Sequence, residues 1–259
     1  MNAYTSFAQV YDAFMDNVPY EEGCQYLCRL LQQYGISNGL VAELGCGTGT
    51  LTELLATAGY DMIGIDNSPD MLDIAQEKRS QSGQDILYLL QDMREFELYG
   101  TVRSIISFCD SINYITNTED LLQVFRLVNN YLDPNGYFIF DFHTQHYYSN
   151  ILGESTIAED REDMSFIWDN YYDEETCMNE YSLSIFVKEE GNSYRKFQEE
   201  HFQRAYTLEE IQALVEAAGL EYVTAYDELS TNPPTEESTR IHVVAREQGK
   251  NPESNIKTK

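Results

Sequence analysis

Apolar positions along the first 146 residues alternate between two rhythms. Residues 20–35, YEEGCQYLCRLLQQYG, place Leu27, Leu30, Leu31 and Tyr34 on one helical face and stop at Gly35, which suits the left-handed residue after a helix. LVAEL (40–44) is a short apolar run. Leu51, Leu54, Leu55 and Ala58 then recur at helical spacing up to Gly59, and DMIGID (61–66) reads as a second buried strand. Ser68 and Pro69 supply an N-cap and a first helical residue for a helix with Met71, Leu72, Ile74 and Ala75 on its inner side. The series continues with ILYLLQDM (86–93), VRSIISFCD (102–110) and a helix over 119–132 bearing Leu121, Leu122, Phe125 and Val128. A DPNG turn (133–136) then leads into YFIFDF (137–142). Five apolar strands separated by helices or connections predict an α/β doubly wound core with a mostly parallel sheet covered on both faces.

The period changes after residue 146. Tyr181, Leu183, Ile185 and Val187 alternate with Ser182, Ser184, Phe186 and Lys188, and EEGNSY (189–194) looks like a hairpin turn. Two or three antiparallel strands are expected here, flanked by FIWDNYY and KFQEEHFQRAY. The core pattern resumes at Thr207 and Glu210, a capping box before Ile211, Leu214, Val215 and Ala218; Gly219 ends that helix, and EYVTAYDEL and RIHVVAR supply two last strands. The predicted organisation is therefore a core of residues 1–146 and 207–246 with seven strands, an inserted small antiparallel β-sheet over 147–206, and a flexible tail over 247–259.

Composition narrows the partners. The 259 residues carry 16 basic and 44 acidic side chains, a formal charge of −28 spread along the chain, which makes nucleic acid and anionic membranes poor default partners. The five cysteines are scattered, with no CxxC pair and no histidine at zinc-ligand spacing; no metal site is expected, and a reducing cytoplasm is. No signal-peptide pattern opens the chain and no run of 18 apolar residues occurs.

The stretch VAELGCGTGT (41–50) carries the candidate chemistry. Gly45, Gly47 and Gly49 follow the first strand directly, where open α/β sheets bind ligands and a bare backbone permits close approach. Thr50 stands where a dinucleotide fingerprint G-x-G-x-x-G has its last glycine, and no Gly-Lys-Ser or Gly-Lys-Thr follows, so neither a nicotinamide fold nor a P-loop is matched. Glu43, two residues ahead of Gly45, would resist pyrophosphate and welcome a cationic or zwitterionic ligand. Asp66 ends the second strand where nucleotide folds place a ribose acceptor, and Asp92 follows the third, positioned for an exocyclic adenine amine. Together these describe an adenosine with a positive, amino-acid-like end, which S-adenosylmethionine fits.

In order and spacing, AELGCGTG, GIDNSPDMLDIA, QDMREF, FCDSINYI and FIFDFHT resemble the motifs of class I S-adenosylmethionine-dependent methyltransferases over roughly residues 1–245. With YTSFAQVYDAFMDNVPY at the start, the chain is similar to a small bacterial branch with an inserted antiparallel sheet. The resemblance implies a seven-stranded sheet with its last strand antiparallel. It also implies roles. Gly45, Cys46 and Gly47 would pass the methionyl portion while Glu43 anchors its ammonium, and Tyr11 would close over that end. Asp66 would take the ribose hydroxyls, with Asn67 beside it and Met71 against the adenine face. Asp92 and Met93 would frame the adenine edge, and Cys109 would offer a carbonyl near the cofactor amine.

For the acceptor side, Asp141 and His143 leave the fifth strand and Asp110 the fourth, all toward the expected crevice; His143 is the candidate base because its ordinary pKa suits proton transfer near neutrality. Asn113, Tyr114 and Trp168 are candidate acceptor contacts. SINY lacks both prolines of an amino-methylating D/N-P-P-Y motif, so adenine or glutamine-amide methylation is not supported. The expected function is methyl transfer from S-adenosylmethionine to a small molecule, leaving S-adenosylhomocysteine. An RNA or protein acceptor, or a non-catalytic S-adenosylmethionine-binding module, are the alternatives.

Overall fold

The computed structural model describes residues 8–15, 18–189, 191 and 193–250. Two helices, α1 (Ala8–Phe14) and α2 (Tyr20–Gln33), precede a run of β1 (Gly39–Leu44), α3 (Thr50–Thr57), β2 (Tyr60–Asp66), α4 (Pro69–Ser82), β3 (Ile86–Leu90) and β4 (Val102–Ser107). A short 3-10 turn, Ser111–Tyr114, leads to α5 (Thr118–Tyr131) and β5 (Leu132–His143). After a wide helical turn at Tyr147–Leu152 come β6 (Thr156–Asp160), β7 (Met164–Asp173), β8 (Met178–Lys188) and β9 (Tyr194–Arg204), then α6 (Leu208–Ala217), β10 (Leu220–Asp227) and β11 (Arg240–Glu247).

Seven strands form one sheet in the order β10-β11-β5-β4-β1-β2-β3. The strands from β5 to β3 pair in parallel, and β11 is antiparallel to both its neighbours. Strand order reverses between β1 and β4, which leaves a crevice at their carboxyl ends. The apolar runs seen in the sequence arise because both faces are covered: Ala42, Ile105, Phe138 and Val243 pack under α5 and α6, while their neighbours Val41, Ile106, Ile139 and Val244 pack under α2, α3 and α4.

Local signals behave as read. Ser68 Oγ accepts from the Met71 amide at 3.3 Å, with Pro69 in the first helical position. Thr207 and Glu210 close a reciprocal capping box. The DPNG segment differs: it forms a bulge inside β5, with Asn135 left-handed at φ 63 and its amide donating to Glu247 Oε2 at 2.8 Å. Residues 247–250 are likewise tied down, since Lys250 Nζ donates to the carbonyls of Asn130 (2.5 Å) and Leu132 (2.6 Å). The remainder of the expected tail, 251–259, lies outside the described residues.

The second sheet has four antiparallel strands, β6-β7-β8-β9, one more than the upper expectation. The added strand, TIAED, is an exposed edge without apolar alternation. Two clusters fasten this sheet over the crevice. Phe14 of α1 packs with Tyr181, Leu183 and Ile185 of β8, and Tyr148 packs with Leu152, Tyr172 and Ala205.

Candidate active site

The glycine turn after β1 is built by backbone bonds that leave one edge bare. Gly45 and Cys46 both donate to the Ile65 carbonyl at the end of β2, at 2.8 and 3.0 Å. Gly45 (φ 72) has no room for a side chain, because a Cβ would stand 2.5 Å from Ser111 Oγ. Gly47 (φ 53) is the opposite case: a Cβ there would meet nothing within 4 Å, so the missing side chain leaves open space along the turn. Its amide donates to Asp66 Oδ2 at 2.8 Å, and Ser68 N donates to Asp66 Oδ1 at 2.9 Å. These bonds pull the Asp66 pKa down, but burial outweighs them and raises it overall.

A cavity of about 520 Å³ opens along this turn. Tyr11, Glu43, Gly45, Cys46, Gly47, Asp66, Asn67, Met71, Asp92, Met93, Cys109 and Tyr114 all line it, so the structure gathers every residue expected around the methyl donor. Glu43 is buried and accepts from Thr52 Oγ1 at 2.5 Å. Burial, opposed by that hydrogen bond and reinforced by Asp66, pushes its pKa up to about 8. A carboxyl held this far from water gains a full charge most readily beside a cation. The open space at Gly47, the acceptor capacity left on Asp66 and this buried acid fit an adenosyl group with an ammonium-bearing tail.

Asp92 lines the cavity as expected but already has a partner. Arg94 forks onto both its oxygens (Nε at 2.9 and 3.1 Å, Nη2 at 2.5 Å), which holds its pKa down and occupies the acceptors intended for adenine. The helix carrying Tyr11 is anchored to the turn. Thr48 Oγ1 donates to Asp12 at 2.6 Å, and Lys78 Nζ bridges Asp12, Thr48 and Thr50. The Tyr11 and Tyr20 hydroxyls are raised by burial and share a hydrogen bond.

The expected acceptor-side residues divide. Asp141 is fully buried and receives the amides of Cys109 (3.2 Å) and Asp110 (2.8 Å), two consecutive left-handed residues at φ 58 and 53. Arg240, at the start of β11, neutralises it at 2.8 Å and reaches Asp110 Oδ1 at 2.9 Å. Asp110 Oδ2 accepts from Gln203 of β9 at 2.8 Å. This network shapes the β4 loop that carries Cys109, Ser111 and Tyr114 into the cavity.

His143 does not line the cavity, and the base role expected of it is withdrawn. Nδ1–H donates to the Thr239 carbonyl at 3.1 Å and Nε2 accepts from Arg240 Nη2 at 2.7 Å, so the ring's one acceptor lone pair faces a guanidinium. Burial and Arg240 push its pKa down to about 3. Asn113 is fully buried and bonded to the backbone of His143 and Arg204, which removes it from acceptor contact. Trp168 packs 4.6 Å from Tyr181 in the second sheet, away from the donor cavity. Tyr114 does reach the cavity and meets Tyr181 and His201 behind it.

Arg240, Gln203, Glu199 and His201 went unnoticed in the sequence. Arg240 carried one signal, a cation opening an otherwise apolar strand; the polar residues of β9 carried none until the pairing register put them on the inner face.

A doubly wound sheet with a glycine turn, flanking acids and a cavity at the reversal of strand order defines an α/β protein of the open-sheet class that binds ligands at its carboxyl edge. Residues 41–136 match the methyltransferase domain family described as Methyltransf_25. A Bacillus subtilis (strain 168) relative carrying the name methyltransferase YqeM is 32% identical over 244 residues, covering 94% of this chain and 96% of its own. A solved S-adenosylmethionine-dependent methyltransferase from Clostridium acetobutylicum ATCC 824 superposes with a TM-score of 0.85 at 28% identity, over 96% of this chain and all (100%) of that one. The S-adenosylmethionine-bound CalS10, an amino pentose methyltransferase from Micromonospora echinaspora, shares the fold at TM-score 0.73 and 16% identity, over 95% of this chain and 99% of its own. The chain belongs to the class I S-adenosylmethionine-dependent methyltransferases.

Proposed function

We propose that the protein transfers the methyl group of S-adenosylmethionine to a nitrogen or oxygen of a small molecule admitted between the main sheet and the inserted one. The observation that carries this reading is the cavity itself: Glu43, the glycine turn and Asp66 line one side, and Tyr114, joined to the second sheet, lines another. Bound there, S-adenosylmethionine supplies a methyl carbon activated by positive sulfur. The chain's own residues then have to align and dry the site, and orientation alone is worth roughly 7–11 kcal/mol of barrier.

In this reading Glu43 takes the ammonium, Asp66 the ribose hydroxyls, and Asn67 and Met71 flank the adenine, whose edge meets Met93. The Cys109 carbonyl faces the amino-acid end, and Tyr11 on the anchored α1 covers it. Residues 147–206 act as a wall and lid over the acceptor. The likeness to CalS10 supports a small acceptor, and the charge of −28 argues against RNA.

Incubating the protein with radiolabelled methyl donor and separated metabolite, RNA and protein fractions tests the reading. Label should enter the metabolite fraction; uptake confined to RNA or protein, or none at all, refutes it. Calorimetry adds a check on the donor site, because Asp66→Ala removes charge-assisted hydrogen bonds worth ~1.5–3 kcal/mol and should weaken S-adenosylmethionine binding roughly 10- to 150-fold.

A further inference from the structure

Among the described residues that line the donor cavity, Arg94 is the one lysine or arginine, and it sits on Asp92. Asp92 does not need that guanidinium to keep its place. The Arg94 amide donates to Asp92 Oδ1 at 2.9 Å, the Glu95 amide donates to the Asp92 carbonyl at 3.0 Å, and the Glu97 amide closes the loop onto Gln91 Oε1 at 2.8 Å. Backbone bonds therefore fix the carboxylate. The Arg94 side chain takes what is left of it: Nε lies 2.9 and 3.1 Å from the two oxygens and Nη2 lies 2.5 Å from Oδ2. A carboxylate has about four lone-pair sites, and Oδ1 serves the amide and Nε while Oδ2 serves Nε and Nη2. No site remains for the amine of an adenine. A second carboxylate stands within reach of the same cation, because Arg94 Nη1 is 3.7 Å from Asp120 Oδ2 in the first turn of α5. Arg94 and Asp120 are each 49% exposed and Asp92 20%.

We propose that Arg94 competes with the adenine amine for Asp92 and yields by passing to Asp120, so that Arg94 and Asp120 set how tightly and how selectively the donor binds. The proposal rests on the donor placement given above and adds two residues to it. Magnitudes favour the exchange. Holding a half-exposed guanidinium on Asp92 is worth at most about 5-fold in an equilibrium, and a new pair with Asp120 returns much of that. A hydrogen bond from a neutral amine to a partly buried carboxylate is worth roughly 10-fold or more. The amine therefore displaces the cation. Helix α5 favours the move as well, since Asp120 holds its charge at the positive helix terminus whether or not a guanidinium is beside it. The exchange also discriminates between bases. A six-amino purine puts an N–H where the guanidinium N–H stood, whereas a six-oxo purine turns a carbonyl oxygen toward the carboxylate and leaves Arg94 where it is.

Calorimetry of the full chain with S-adenosylhomocysteine separates a competitor from a support. Arg94→Met should bind about 2- to 5-fold more tightly, because Asp92 is freed, and Asp120→Asn about 2- to 5-fold more weakly, because the cation loses its second station. The double variant should match Arg94→Met, since Asp120 acts only through Arg94. Weaker or unchanged binding in Arg94→Met, or an Asp120→Asn effect of the same size with and without Arg94, overturns the proposal. A spectroscopic reading stands apart from affinity. The Arg94 Nε–H resonance, assigned by its loss in Arg94→Met, should move on saturation with S-adenosylhomocysteine and stay in place with S-inosylhomocysteine, the six-oxo analogue. A resonance that stays put with the first, or moves equally with both, also overturns the exchange. Failure of the unaltered protein to bind S-adenosylhomocysteine at all would instead overturn the donor placement on which the exchange rests.

Discussion

Asp141 and Arg240 offer the sharpest test of what shapes the site. Asp141→Asn keeps the side chain's size but removes the charge opposite Arg240, and its new amide hydrogens must face either the guanidinium or the two amides of Cys109 and Asp110. Arg240 retains Asp110 at 2.9 Å, so the loss sits at the low end of the ~3–5 kcal/mol typical of breaking a buried pair, about 3 kcal/mol. Arg240→Met strands the fully buried Asp141 and should cost about as much. At ~2–4 °C per kcal/mol for a chain of this size, each variant should melt roughly 6–12 °C lower. The double variant leaves no buried charge opposed, so its loss should fall short of the sum by roughly 2 kcal/mol, within the range of coupled neighbours. Urea unfolding of all four proteins without ligand closes the cycle. Losses that add to within about 0.5 kcal/mol would show that the pair does not act as a unit. The left-handed backbone at Cys109 and Asp110 costs ~1–2 kcal/mol per residue and is held by these bonds, so Asp141→Asn should also weaken donor binding.

Three further outcomes follow from the cavity and its surroundings. Glu43, raised to about 8, holds its proton at pH 7, and an ammonium placed beside it favours the ionised form; binding of S-adenosylmethionine should therefore release a proton at pH 7, and the net release should fall as pH rises through 8, read from calorimetry in buffers of different ionisation enthalpy. A heat independent of buffer at pH 7 would contradict the ammonium assignment. Gly45→Ala should destabilise the fold, because its Cβ meets Ser111, whereas Gly47→Ala should fold with only ~1–2 kcal/mol of backbone strain yet lose donor affinity; equal melting points for the two would remove the distinction. Acid stability tests the histidines. His143 and His242 are held neutral, with pKa pushed down from 6.5 to about 3 and about 4 by burial. The unfolded chain binds more protons, so their contribution is complete above about pH 6.5 and is lost as pH falls toward 3. His242→Phe should flatten that limb of the stability profile, and an unchanged profile would count against the assignment.

Local physics made most of the architecture legible. Continuous apolar strands implied a sheet covered on both faces, Ser68 with Pro69 and Thr207 with Glu210 marked helix starts, and Glu43 and Asp66 sit at the carboxyl ends of their strands, with Gly45 and Gly47 just beyond the first, by position alone. Each of these depends on neighbours within a few residues or on the period of one element. The edge strand β6 escaped because an exposed strand carries no burial pattern, and the DPNG bulge because a turn signal does not reveal whether the strand continues beyond it. What lies across the sheet was decided only by folding. Register paired Arg240 with His143 and brought its guanidinium onto Asp141, 99 residues away in sequence, which turned His143 from an available base into a neutral acceptor for a guanidinium. Packing of the second sheet brought His201 to Tyr114 across 87 residues. Sequence determines which residues end a strand; which charges share a buried volume depends on long-range pairing, and that pairing sets their protonation and their use.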